Sequence, residues 1–81
     1  MELRLDALRL GERAYISRLE PDGEMTGRLE DLGFVPGTRV DCELLSPSGD
    51  PAAYRVREAL IALRKRNAAC ICVTAAGERD A

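Results

Sequence analysis

Apolar positions in this chain recur mostly at every second residue. Over 38–45, Val40, Cys42 and Leu44 share one face while Arg39, Asp41 and Glu43 take the other, which predicts a strand with one covered side. Stretch 13–19 alternates less cleanly, with Ala14 and Ile16 opposite Tyr15, Ser17 and Leu19, as expected of a strand covered in part on both faces. Over 53–57, Tyr54 and Val56 point inward between Arg55 and Arg57. Stretch 58–63 is a short apolar run that period alone does not assign; its context favours a strand followed by a single turn at 64–67. In 69–73, Ala69, Ile71 and Val73 share one face and Cys70 and Cys72 the other. One stretch keeps a helical period: over 24–32, Met25, Leu29 and Leu32 fall on a single stripe, with Asp22 placed to cap the helix and Glu24 at its positive end. Gly27 in this helix leaves room for another backbone to come close.

The connections are as strongly marked as the elements. Stretch 29–40 holds a helix end, a glycine stop at Gly33, a Pro36-Gly37 turn and the start of a strand. Pro36 presets φ and Gly37 accepts the positive φ that a type II turn requires. Residues 46–51 form a loop with two prolines and a glycine, joining two strands into a hairpin. Residues 1–12 read as a lead-in whose Leu8 and Leu10 pack onto the domain, and 74–81 as a frayed tail. The sum is mainly β: a small, strongly bent SH3-like barrel of about five strands, with one short helix inserted after the first strand.

Length limits the chain to one domain, 1–81 with a core at about 3–73. Three aromatics, Tyr15, Phe34 and Tyr54, leave the core mostly aliphatic. A net charge of −2 argues against the basic footprint of a nucleic-acid binder. The longest apolar run, 58–63, is too short for membrane insertion, and the N-terminal residues lack the apolar stretch of a signal peptide. These points, with three cysteines, predict a cytoplasmic protein.

Catalytic chemistry has little to work with. The chain has no His, so no His-based triad or dyad, and its glycines form no phosphate-binding loop. The expectation is a protein that is not an enzyme. Cys70 and Cys72, at alternate positions of a predicted strand, are the metal candidates. Two thiolates fall short of the four ligands a tetrahedral ion takes, and the plainer reading of these and Cys42 is small apolar side chains in or near the core. Glu30, Asp31, Asp41 and Glu43 read as a solvated face. The basic turn Arg64-Lys65-Arg66, with Arg55 and Arg57 nearby in sequence, reads first as exposed charge and second as a contact for an acidic partner surface or lipid headgroups, with the Arg64 stem packed and its fork bonding loop carbonyls. A chain without chemistry of its own acts through a docking patch, for which Met25, Leu29, Leu32, Phe34, Val35 and Arg64 are the candidates; Gly33, Pro36 and Gly37 are assigned to the turn. Core closure is the default for Phe34 and Val35. A peptide-binding SH3-like groove is disfavoured by the scarcity of aromatics.

The series Leu8, Gly11 and Ile16, then Arg28-Leu29 and Leu32-Gly33-Phe34-Val35-Pro36-Gly37-Thr38 with Val40, then Gly49-Asp50-Pro51, Ile61-Ala62-Leu63-Arg64, and Ala68-Ala69 with Ile71 and Val73, resembles the FeoA family. The resemblance spans about 3–73. It implies an SH3-like barrel and an accessory protein of bacterial ferrous-iron uptake, acting on a FeoB-type membrane permease with a cytoplasmic GTPase domain. It implies no required cofactor; a transition-metal ion, Fe²⁺ or Zn²⁺, is the ligand such proteins are associated with, and a metal-responsive regulatory module is the alternative function. Self-association into a homo-oligomer stays open. Many members carry Gly a few residues before the Ala-Leu-Arg box, where this chain has Arg57-Glu58-Ala59, which puts a positive φ at Glu58 in doubt.

Overall fold

The computed structural model describes residues 1–21 and 25–75. In chain order they form β1 (Glu2–Arg4), a 3₁₀ turn (Leu5–Ala7), β2 (Arg13–Leu19), α1 (Thr26–Asp31), β3 (Arg39–Leu45), β4 (Ala52–Val56), β5 (Ala59–Leu63), the one-turn α2 (Lys65–Ala68) and β6 (Ile71–Ala75). The strands lie in the order β1-β6-β2-β3-β4-β5, with every neighbouring pair antiparallel. The molecule is the small, mainly β, SH3-like domain expected, with three differences. It has six strands rather than five, because the lead-in starts with a strand that pairs with β6. The inserted helix follows the second strand, and a second, one-turn helix precedes the last. The ladder is a bent open sheet whose edges are β1 and β5, not a closed barrel.

One core explains the curvature. Leu5, Leu8, Ala14, Ile16, Leu29, Phe34, Val40, Tyr54, Val56, Leu63, Ile71 and Val73 pack together with almost no exposure. Inward alternation holds at Val40 and Cys42, then fails at Leu44, which is 56% exposed. The register between β3 and β4 shifts between Cys42 and Leu44, and such a bulge inserts a residue and turns the next side chain outward. Leu8 packs on the domain as expected, but Leu10, 57% exposed, does not; Leu5, in the 3₁₀ turn, is fully buried instead. Residue 22 and Glu24, the expected cap and first helical position, lie outside the described residues. α1 buries Leu29 completely, while Leu32 at its end is 39% exposed, so the apolar stripe is narrower than its spacing suggests. Gly27 faces open space rather than another backbone.

The 29–40 junction has the predicted construction. The Phe34 N–H donates to the Leu29 carbonyl at 3.0 Å and the Gly33 N–H to the Glu30 carbonyl at 3.0 Å, a Schellman ending with Gly33 at φ +112°. The Leu29 and Phe34 side chains that accompany it are fully buried. Next, the Thr38 N–H donates to the Val35 carbonyl at 3.1 Å across Pro36-Gly37, with Gly37 at φ +91°. The junction is stitched to β2 by Gly37 N–H to Ile16 carbonyl at 2.7 Å and Ile16 N–H to Thr38 carbonyl at 2.9 Å.

Candidate docking surface

Positive φ outside glycine occurs at Arg57, at +57°, among the described residues. Val56 pairs with Ala59, so Arg57 and Glu58 are the two residues of a tight hairpin loop. A positive φ at the first of them is the type II′ pattern, a position usually given to glycine. The doubt raised over Glu58 therefore falls on its neighbour. This backbone lays the Arg57 side chain over the helix exit: a Cβ added at Gly33 would meet Arg57 Cδ at 3.3 Å and Nε at 3.4 Å.

Arg57 also lines a surface groove of about 220 Å³ with Thr38, Arg39, Asp41 and Arg55. Two of the three guanidinium groups there are paired. Arg39 Nε donates to Asp41 at 3.1 Å, and Arg55 grips both oxygens of Glu43 at 2.7 and 3.1 Å. The Arg55 hydrogen bonds hold the Glu43 carboxyl below the usual carboxylate range and push Arg55 up. Arg57 alone of the three has no ion pair among the described residues. A free guanidinium thus lies against Gly33, which in sequence follows the exposed Leu32 and stands two residues before half-buried Val35. An exposed leucine at the helix exit and an unpaired planar cation against the next residue suit a protein surface carrying an apolar side chain and a carboxylate.

The sequence candidates divide accordingly. Leu29 and Phe34 are fully buried and belong to the core, so they are removed from the docking patch; Met25 is half-buried against the same core. Leu32 and Val35 remain at the surface. Arg64 is exposed: among the described residues its guanidinium makes no bond to loop carbonyls, while its backbone carbonyl accepts the Asn67 and Ala68 N–H groups that begin α2. The Lys65 N–H that opens this turn is capped instead by the Asp50 carboxylate at 2.8 Å, from the loop before β4. Gly33, Pro36 and Gly37 occupy the turn positions expected of them. Arg57 is legible in the sequence only as part of the basic stretch with Arg55 and Arg64-Lys65-Arg66, not as a neighbour of Gly33; the further signal is a non-glycine residue in a two-residue turn.

The three thiols lie in different settings. β6 begins at Ile71, so Cys70 sits in the preceding turn, where its thiol donates to the Arg66 carbonyl at 3.6 Å, and the expected shared strand face with Cys72 is not formed. Cys72 and Cys42 are buried, and burial pushes the Cys42 thiol up. Among the described residues no three Cys, Asp or Glu side chains gather as a metal ion would require.

At the opposite end of the sheet, charge serves cohesion. Arg4 pairs with Glu20, Arg18 bridges to Glu2 at 3.3 Å and Glu20 at 3.6 Å, and the Ser17 hydroxyl donates to Glu2 at 2.8 Å. These exposed groups tie edge strand β1 and the exit of β2 together. The Thr26 hydroxyl, donating to the Glu20 carbonyl at 2.7 Å, anchors α1 to the same corner.

A bent antiparallel sheet with a helix and a Pro-Gly turn inserted between its strands defines a small SH3-like β domain. The chain belongs to the FeoA family, whose domain profile matches residues 3–75. It is 35% identical over 69 residues to the Fe(2+) transport protein A/Fe(2+) transporter FeoB fusion protein of Porphyromonas gingivalis, a match covering 85% of this chain and 8% of that protein. The solution structure of iron(II) transport protein A from Clostridium thermocellum is 39% identical and superposes with a TM-score of 0.86, covering 93% of this chain and 46% of that one. Stenotrophomonas maltophilia FeoA, an SH3 domain protein crystallised with zinc, is 28% identical with a TM-score of 0.79 and 88% of each chain covered. The family links the fold to ferrous-iron transport.

Proposed function

We infer that this chain is a non-enzymatic accessory module of ferrous-iron uptake, working in the cytoplasm by docking on the cytoplasmic GTPase domain of a FeoB-type permease. The observation that carries this reading is the fused relative, in which a segment similar to this chain shares one polypeptide with the transporter. Fusion keeps two modules at high effective concentration, which favours modules that touch. Leu32, Val35 and Arg57 are the docking residues: an apolar pair to bury and a free guanidinium to meet a carboxylate. Any GTP hydrolysis belongs to the permease.

The test is titration calorimetry between this protein and the cytoplasmic domain of its cognate permease. Saturable binding is expected, weakened about tenfold or more by Arg57→Glu and by Leu32→Asp. No binding, together with unchanged iron uptake when the gene is deleted, would overturn the reading. A metal-responsive regulatory module ranks second. It draws on the zinc complex of the Stenotrophomonas relative, but no cluster of three or more ligands forms among the described residues. Saturable anaerobic binding of Fe²⁺, Mn²⁺ or Zn²⁺ at micromolar protein would bring it forward.

A further inference from the structure

The groove that Arg57 shares with Thr38, Arg39, Asp41 and Arg55 holds more hydrogen-bond donors than the fold uses. Arg39 engages Asp41 through Nε alone, and Arg55 engages Glu43 through Nε and Nη2. Among the described residues, both Nη groups of Arg39, Nη1 of Arg55, the whole Arg57 guanidinium and the Thr38 hydroxyl make no hydrogen bond. Arg57 reaches this position at φ +57°, a conformation that costs energy in any residue but glycine, and strain of this kind persists where a side chain has work at that spot.

Charge points the same way. Asp41 is the carboxylate lining the groove; it stands in register between Arg13 and Arg55 and also accepts from Arg39. With Glu43 counted, the outer side of β2, β3, β4 and the turn after β4 sets two carboxylates against Arg13, Arg39, Arg55 and Arg57. The acids next in sequence do not restore the balance: Glu12 accepts from the Arg9 N–H at 2.7 Å, and Glu58 makes no ion pair among the described residues. Two positive charges are therefore in excess here, in a chain whose net charge is −2. Guanidinium groups gathered in one groove repel one another unless an anion lies between them.

We propose that this groove binds the head of a small soluble phosphate, either inorganic phosphate or a phosphate monoester. Arginine forks match phosphate oxygens two at a time. Three guanidinium groups and a hydroxyl offer more donors than the two oxygens of a carboxylate use, whereas a phosphate monoester presents three oxygens and a charge of about −1.5 to −2, which balances the local excess. Size sets the other limit. At about 220 Å³ the groove is smaller than the roughly 300–1,000 Å³ of sites that enclose drug-sized ligands, so it holds the head and leaves the rest of an ester in water. Asp41 is outweighed by the arginines around it, yet its charge still opposes the anion, and that opposition gives the test a change of sign.

Titration of the isotope-labelled protein at constant ionic strength, followed by the NMR signals of the arginine Nε–H groups, tests this with inorganic phosphate, a nucleoside monophosphate and acetate. Saturable shifts at Arg39 and Arg57 are expected, with a dissociation constant of about 1 mM or tighter for both phosphates and at least about tenfold weaker for acetate. Arg57→Gln should raise the phosphate constant about fivefold or more. Asp41→Asn should lower it about two- to fivefold, because it removes the opposing charge and releases the Arg39 Nε. Arg64→Gln, beyond the opposite end of β5, should leave it unchanged. The amide spectrum of each variant checks that it folds. Equal shifts at Arg9, Arg28 and Arg64 would mean an adventitious ion only and overturn the proposal. No saturation, acetate bound as well as phosphate, an unchanged constant in Arg57→Gln or a raised one in Asp41→Asn would overturn it too. So would a nucleotide that binds where inorganic phosphate does not, or binding to phosphatidylglycerol vesicles without a response to either free phosphate, which would give the face to a membrane. The protein is titrated alone, so the outcome is independent of permease docking at Arg57.

Discussion

Gly33 meets two demands that a side chain would violate. Its φ of +112° is a conformation L-residues avoid, and its Cβ position faces the Arg57 side chain. Gly37, at φ +91°, has open space around it, so only the backbone demand applies there. Gly33→Val and Gly37→Val should each cost about 2 kcal/mol, which for a domain this size lowers Tm by roughly 10 °C. Gly33→Val should also displace Arg57 and weaken permease binding, whereas Gly37→Val should leave that binding nearly intact; melting curves and calorimetry on the same pair of variants separate the two effects. Arg57 is the converse case. It holds a positive φ without being glycine, a strain of about 1–2 kcal/mol. Arg57→Gly relieves that strain but adds freedom to the unfolded chain, so Tm should change by no more than about 5 °C while permease binding falls. A large loss of Tm would mean that the Arg57–Gly33 contact holds the fold rather than the partner.

At the scale of elements, local chemistry was readable and long-range pairing was not. The Schellman ending, the Pro36-Gly37 turn and strand β2 needed only neighbouring residues, and all are present as expected. β1 was hidden because three residues of alternating charge become a strand only when β6, some seventy residues away, lies beside them. The bulge after Cys42 leaves no mark in a strictly alternating sequence, so Leu44 could not be seen turning outward. Likewise the Asp50 cap on α2 joins two segments that the sequence separates by a whole hairpin. The proposed docking surface was half legible: its apolar members lay in the candidate stretch, but Arg57 comes to lie against Gly33 through a turn conformation that residue type argues against. α1 provides the measurable contrast. Leu29→Ala opens a cavity in the core and should cost about 2–5 kcal/mol, while Leu32→Ala, at an exposed helix end, should stay within about 0.5 kcal/mol yet weaken binding to the permease. Equal losses of stability for the two would refute this division of the helix into a core face and a docking face.

The whole molecule should respond to pH in a way its composition makes unusual. It has no histidine, so no imidazole titrates and stability should be nearly flat between about pH 6 and 8. On the acid side, Glu2, Glu20 and Glu43 are held below the usual carboxylate range, chiefly by the Ser17, Arg4 and Arg55 hydrogen bonds. Their contribution is present at neutral pH and lost as pH falls through those lowered values, and it is small because all three are exposed to water. The alkaline side is different in kind. Burial pushes the Tyr54 phenol up to about 12, with the neighbouring Cys42 adding to it, and burial also raises the Cys42 thiol. For an acid raised in the folded state the neutral form is the one the fold prefers. Stability is therefore complete below the unfolded-state values of 9.0 for Cys and 10.0 for Tyr, and declines as pH climbs toward about 12. Because Cys42 and Tyr54 are paired across β3 and β4, both protons are lost from the middle of the sheet rather than from its rim. Urea unfolding measured from pH 8 to 12 should show the fall, and Tyr54→Phe should make its slope shallower by up to about 1.4 kcal/mol per pH unit above pH 10. A Tyr54→Phe protein whose stability falls as steeply as the parent's would mean that the phenol ionises without cost, and that the centre of the β3–β4 pair is open to water.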